Sequence, residues 1–191
     1  MNRVNNTKFA VLGVLALQPG SGYDVKKFLS ESIGHFWKIS YGQVYPLLKQ
    51  LAGEGLATMS RETQATRPAR NVYSITAQGL EALRLWLASP LEIRPKDEGR
   101  EVLLRLFFGG FAPLEINISH VEQLRQWVGR GQTIYAEIEE RLKRDKADNR
   151  HLSYWLMTLR MGQFNGEAMS KWCTETLATL MDLQKRSATD H

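Results

Sequence analysis

The sequence predicts a mainly α-helical chain interrupted once, in its first half, by a pair of short β-strands. Three observations carry that prediction. Apolar residues recur at three- and four-residue spacing through most of the 191 residues. Strand-like alternation marks Leu56 to Gln64 and Asn71 to Ile75, on either side of an arginine-bearing tip. Just ahead of the strands, Tyr41, Gln43, Tyr45, Lys49 and Gln50 form a polar face on a short helix, and Val44, Leu47, Leu48 and Leu51 form its apolar back. A short helix with a free polar face, then two strands, is the order of a winged helix-turn-helix. The predicted architecture is therefore an N-terminal winged helix-turn-helix with a two-stranded β wing, followed by a C-terminal α-helical dimerisation domain.

Each element has a local cause. Thr7 can cap a first helix running to about Leu17, and its nearly all-round apolar surface places it beneath other elements. Pro19-Gly20 ends it. Ser21-Gly22-Tyr23-Asp24 reads as a capping box with Asp in place of Glu, opening a second helix with Val25, Phe28, Leu29 and Ile33 on its inner face. Gly34 stops that helix, and Phe36 and Trp37 are apolar plugs in the connection to the third. Pro46 argues that the third helix starts close to Gln43 or is kinked, because an interior proline removes a backbone bond and clashes one turn back. Gly53 and Gly55 supply its stop. The wing follows, with a tip at Ala65-Thr66-Arg67-Pro68-Ala69-Arg70. Thr76 then caps a fourth helix with Leu80, Leu83 and Leu87 along one stripe and Trp86 beside it.

Two prolines and a charge shift within Pro90 to Asp97 place the domain boundary there, giving residues 1–90 and 91–191. Beyond it the chain reads as helical. Glu98 to Phe108 is a short apolar helix stopped by Gly109-Gly110. Val121, Leu124, Val128, Gly131, Tyr135, Ile138 and Leu142 then follow alternating steps of three and four. Such a seam needs a facing helix, and the segment from about Asn149 to Gln184 supplies a similar stripe through Leu152, Trp155, Leu159, Met169, Cys173, Leu180 and Leu183. Val121, Leu124, Val128, Tyr135, Ile138, Leu142, Leu152 and Leu159 are the expected dimer interface.

Composition narrows the function. The net charge is +5, and the excess lies wholly in the first half: residues 1–90 hold 10 Lys+Arg against 5 Asp+Glu, and residues 91–191 hold 15 against 15. A basic front joined to a neutral back fits a polyanionic partner for the front. One cysteine, Cys173, excludes an intramolecular disulfide and, among Met169, Trp172 and Leu177, is expected to be partly buried. The apolar run Phe9 to Leu17, only about nine residues, ends in Gln18-Pro19-Gly20 where a signal peptide would carry a small-residue cleavage site, so it is not read as one. No stretch approaches the roughly 20 apolar residues of a membrane span, so a cytoplasmic protein without membrane attachment is expected. Enzyme signals are missing: His35, His120, His151 and His191 have no ligand partners at metal spacing, and there is no phosphate-cradling loop or nucleophile elbow. No metal or cofactor is expected.

The expected partner is double-stranded DNA. Tyr41, Gly42 and Gln43 stand at the front of the candidate recognition helix, where such helices meet base edges. Gln43 either pairs with adenine or, through Ser40-x-x-Gln43, closes the helix start. Lys38, Tyr45 and Lys49 suit phosphate contacts, and Arg61, Arg67 and Arg70 suit a wing lying on phosphates or in a minor groove. In the helical half Trp127, Tyr154, Trp155 and Trp172 either pack a core and a dimer seam or line a gap between helices that takes a small ligand. Gly162 and Gly166, each costing about 1 kcal/mol relative to alanine within a helix, either permit close helix crossing or leave space for a ligand.

Taken together the chain resembles the PadR family of bacterial transcriptional regulators, which includes phenolic-acid-responsive repressors and virulence-gene activators. The resemblance is carried by Ala10-Val11-Leu12-Gly13-Val14-Leu15, Ser21-Gly22-Tyr23-Asp24, Phe36-Trp37, Gln43-Val44-Tyr45-Pro46, Glu54-Gly55-Leu56 and Val72-Tyr73-Ser74-Ile75-Thr76 with Gly79 and Leu83. Asp97-Glu98, Leu103 to Phe108 and Trp172 extend it into the second half. It implies a homodimer whose winged helices bind an inverted repeat, with Tyr41, Gly42, Gln43 and Tyr45 on recognition-helix contacts and Arg67 and Arg70 on the wing. It further implies, for the phenolic-acid branch, an effector lying between the domains near Trp127, Tyr154 and Trp172. Gly42 stands where relatives often carry a hydrogen-bonding residue, so the operator sequence does not transfer. A repressor released by a phenolic effector is the leading expectation. A ligand-independent activator or architectural DNA binder, and a helical protein-interaction adaptor, are the alternatives.

Overall fold

The computed structural model describes residues 6–34, 37, 41–64, 67–91 and 99–189. It opens with α1 (Asn6–Leu17), in which Ala10 to Leu15 are buried without interruption, as an all-round apolar helix requires. A two-residue strand β1 (Gly20–Ser21) follows, then α2 (Gly22–Ser32). The capping box is present in full: Asp24 N donates to Ser21 Oγ, and Ser21 N donates to Asp24 Oδ2 at 2.9 Å. Val25, Leu29 and Ile33 are buried, and Phe28 packs against the same core. Trp37 also packs there, while Phe36 lies outside the described residues.

Helix α3 (Tyr41–Gly53) begins two residues before the Gln43 start expected from sequence. Pro46 is accommodated as its sixth residue, where its missing N–H forgoes a single bond in the second turn. The helix ends in a Schellman motif, with Leu56 N donating to Leu51 O at 2.9 Å, Gly55 N to Ala52 O at 3.2 Å, and Gly55 at φ 73°.

The antiparallel sheet has the order β1-β3-β2, with β2 Ala57–Gln64 and β3 Arg67–Ile75. Two sequence expectations change here. The wing pair gains β1, whose Gly20 and Ser21 pair with Tyr73 and Val72; two residues are too few to show a period. The returning strand also starts at Arg67 rather than Asn71, so Arg67 to Arg70 belong to the ladder and not to a loop. Pro68 is tolerated because β1 reaches only as far as Val72, which leaves this stretch of β3 unpaired on one side.

Thr76 caps α4 (Ala77–Ala88), accepting from Gly79 N at 3.0 Å and donating to Gly55 O at 2.8 Å. A Cβ on Gly79 would lie 2.0 Å from Leu56 O, so only glycine lets α4 start this close to β2. Helix α5 (Arg100–Phe107) and a 3-10 turn (Gly109–Phe111) follow. Although they lie beyond the proline-rich stretch read as the boundary, they pack with the winged helix, and the two compact units of the chain divide after Pro113. The reasons are specific. The Phe108 ring fills the space over Gly13, where a Cβ would stand 2.7 Å from it. Arg105, 3% exposed, donates to the carbonyls of Leu87 and Ser89 at the end of α4, pairs with Glu101 at 2.7 Å and lies over the Trp86 ring. A buried guanidinium is tolerated here because carbonyls, a carboxylate and a π face surround it.

The second unit is an antiparallel helical hairpin of α6 (Leu114–Asp145) and α7 (Leu152–Thr189). Its seam holds Val121, Leu124 and Val128 of α6 and Cys173, Leu177 and Leu180 of α7, all buried. Tyr135, Ile138, Leu142, Leu152 and Leu159 are half-buried. Cys173 is fully buried, and desolvation pushes its thiol above the ordinary range. Among the described residues no helix is long and apolar enough to cross a membrane, and no His/Cys/Asp/Glu group has metal-site composition.

Candidate nucleic-acid interface

Helix α3 divides as its sequence pattern requires. Val44, Leu47, Leu48 and Leu51 are 1%, 7%, 0% and 0% exposed and anchor the helix in the core, whereas Gly42, Gln43, Tyr45, Lys49 and Gln50 face outward. The rigid anchor is what a reading helix needs, because a face that must match a groove cannot rotate about its own axis.

Tyr45 is half-exposed, yet its ring lies against the start of α2, where a Cβ on Gly22 would be 2.4 Å from it. Gly22 thus lets the two helices of the helix-turn-helix close on each other through an aromatic ring. At the other end of α3, Gln50 donates to Glu54 at 2.8 Å, and Lys8 of α1 forms an ion pair with the same carboxylate. The hydrogen bonds from Lys8 and then Gln50 hold the Glu54 carboxyl below its ordinary range.

On the wing, Arg61 is exposed and pairs in register with Asn71. Arg70 is placed differently. Its Nε donates to Glu62 Oε2 at 2.8 Å across the ladder, and its Nη1 to Asp24 Oδ2 at 3.3 Å at the head of α2. That oxygen also accepts from Ser21 Oγ at 2.7 Å. The Ser21 hydroxyl and then its amide hold the Asp24 carboxyl below the usual carboxylate range, opposed by partial desolvation and assisted by Arg70 and Lys27. Sequence reasoning did not reach Asp24 or Glu62 as partners of Arg70. The capping box and the near-mirror spacing of positions 62 and 70 about the hairpin centre were the available signals. Lys38 and the wing tip Ala65-Thr66 lie outside the described residues, as do the side chains of Tyr41 and Arg67, and Ser40 of the alternative cap.

In the helical hairpin the two glycines serve close approach. A Cβ on Gly162 would stand 2.5 Å from the Tyr135 ring, and one on Gly166 1.9 Å from Gln132 Nε2. Gln132 donates to Gln163 O at 2.8 Å, and buried Gln163 donates to Glu139 at 2.7 Å. This register sets Trp127 and Trp172, both half-buried, at one level. Tyr154 and Trp155, 64% and 38% exposed, lie about 25 Å farther along α7 at 1.5 Å per residue. The four aromatics therefore do not form one small-molecule site within a single hairpin.

A polar-faced helix anchored in a helical core, with an antiparallel wing beside it, defines a winged helix-turn-helix protein. Residues 11–85 match the Transcriptional regulator PadR-like family and residues 100–181 match Virulence activator alpha C-term. The chain belongs to the PadR-like family of transcriptional regulators, DNA-binding proteins that are not enzymes. It is 35% identical over 101 residues to the negative transcriptional regulator PadR of Bacillus subtilis, a match spanning 53% of this chain and 55% of that protein. It is 27% identical over 183 residues to a probable transcriptional regulator of Mycobacterium tuberculosis, Rv1176c, covering 91% of this chain and 96% of the relative. Among solved structures, Bacillus subtilis PadR in complex with operator DNA is 24% identical with a TM-score of 0.45, covering 91% and 98%. The same protein in complex with p-coumaric acid is 22% identical with a TM-score of 0.42, covering 92% and 99%.

Proposed function

We propose that this protein is a homodimeric repressor that binds an inverted-repeat operator and is released by a small aromatic, phenolic effector. The observation that carries the DNA reading is the division of α3 into a buried apolar row and an exposed polar face. Gln43, with Gly42 and Tyr41 beside it, is assigned to base edges, and Lys38, Tyr45, Lys49, Arg61 and Arg67 to phosphates. A dimer is supported by the helical hairpin, whose α7 leaves Tyr154, Met157, Met161 and Phe164 exposed at steps of three, four and three. That stripe adds to the expected seam residues, several of which are already covered within one chain. For the effector, Trp127 and Trp172 are the pair that share a level. The likeness to a negative regulator supports repression; the C-terminal match to a virulence activator model supports activation without a ligand as the second reading.

The mechanism is geometric. Two recognition helices must sit about 34 Å apart, or a multiple, to enter successive major grooves. An effector that binds one spacing better than the other shifts the population off DNA.

The test is a fluorescence-anisotropy titration against DNA from just upstream of the protein's own gene, beside a scrambled duplex, at two salt concentrations. Preference for the upstream duplex is expected, with affinity falling steeply as salt rises. Gln43→Ala should relax base preference by about 1–3 kcal/mol at one position, and Arg61→Ala should weaken binding to every sequence and lower the salt slope by about one. Salt-insensitive or absent binding would move the protein to the adaptor class.

A further inference from the structure

The two ion pairs of Arg70 do not suit a phosphate contact. Its guanidinium directs Nε to Glu62 on β2 and Nη1 to Asp24 at the head of α2, two carboxylates carried by different elements. A phosphate arriving at Arg70 would meet both negative charges at once, and each would weaken its hold. The same geometry is well suited to joining parts. Asp24 Oδ2 accepts from Ser21 N, Ser21 Oγ and Arg70 Nη1, and Ser21 is at once the cap of α2 and a β1 residue paired with Val72 of β3. The wing, the short third strand and the N-terminus of α2 therefore meet at one carboxylate. Arg61, exposed on the neighbouring strand, makes no ion pair among the described residues.

We propose that Arg70 is a positioning residue: by bridging Glu62 and Asp24 it sets the angle at which the wing is presented to DNA, and the phosphate contact of this part of the wing is made by Arg61. The inference rests on the DNA-binding reading and refines its contact map. Surface ion pairs are individually weak, about 0–1 kcal/mol, so the effect is a bias on wing orientation and not a condition for folding.

The experiment compares full-length Arg61→Ala, Arg70→Ala, Glu62→Gln, Asp24→Asn and the double variant Asp24→Asn/Arg70→Ala, measuring affinity for the upstream duplex across a salt series. Arg61→Ala is expected to lower the salt slope by about one. Arg70→Ala is expected to weaken binding about three- to tenfold at unchanged slope. The sign for Glu62→Gln is the sharpest arm. It weakens binding if Arg70 positions the wing and tightens it if Arg70 is a phosphate contact that Glu62 competes for. The double variant should be no weaker than Arg70→Ala alone, because both substitutions remove one contact. A lowered slope in Arg70→Ala, or tighter binding by Glu62→Gln, overturns the proposal. A DNA-free arm keeps it separable from the function reading: in free protein, Arg70→Ala should raise amide exchange at Ser21 and across β2 and β3 while leaving that of Leu48 and Leu51 unchanged. Unaltered exchange at Ser21 and the wing overturns the positioning role even where the wild type binds neither duplex, a result that would instead move the protein to the adaptor class.

Discussion

Six consecutive residues of the 12-residue helix α1 are buried in the winged unit, whereas α6, with 32 residues, buries five, two of them the polar Asn117 and His120. The winged unit surrounds its central helix on several sides, so every position around α1 finds apolar neighbours. A hairpin of two helices offers each only one covered face. Its seam is closed by glycines and a glutamine network where an apolar layer would otherwise stand, and apolar residues of α7 remain outside. The winged unit thus encloses a core of its own, while the helical hairpin covers one face of each helix and leaves Tyr154, Met157, Met161 and Phe164 of α7 exposed.

Substitutions of equal chemistry should fall unequally on the two units. Leu48→Ala, at a position 0% exposed, should cost about 3 kcal/mol in urea unfolding, against about 1 kcal/mol or less for Leu142→Ala at the half-buried end of the hairpin. Equal losses would show that the hairpin is as tightly packed as the head. Next in size, Gly162→Ala should cost about 1–2 kcal/mol because the Tyr135 ring must move. Gly131→Ala, with open space at the new Cβ, should instead stabilise by about 0.5–1 kcal/mol through helix propensity. A gain at both positions would show that the crossing is not close.

The smallest effect is in pH. Asp24 is held below its ordinary pKa by Ser21, so its contribution to stability is present above the ordinary carboxylate range and is lost as pH falls through and below that range. The stability difference between wild type and Asp24→Ala should accordingly be full near neutrality and shrink toward zero in acid, read as urea midpoints at stepped pH. A difference independent of pH would remove the carboxylate from the account.

Periodicity and punctuation made much of the fold legible. The inner faces of α1 to α4, the Ser21 and Thr76 caps, the Gly55 stop and the pairing of α6 with α7 all follow from residues within a few positions of one another, and local chemistry is what a linear pattern records. The exposed row of α3 was readable for the same reason. Arg70 was readable only as a charge on a hairpin: Glu62 lies eight residues away and Asp24 forty-six, and register together with β1 brings the three together. Gly162 and Gly166 were ambiguous until Tyr135 and Gln132 were found against them. Likewise α5 was separated from the winged unit by its flanking prolines, although Arg105 and Phe108 bind it there. By itself, then, the chain determined which faces are apolar, where helices begin and end, and that its basic charge gathers in the first half. Which cation meets which carboxylate, and which glycine admits which ring, depended on contacts between residues distant in sequence, because those distances are set by the packing of whole elements and leave no period in the chain.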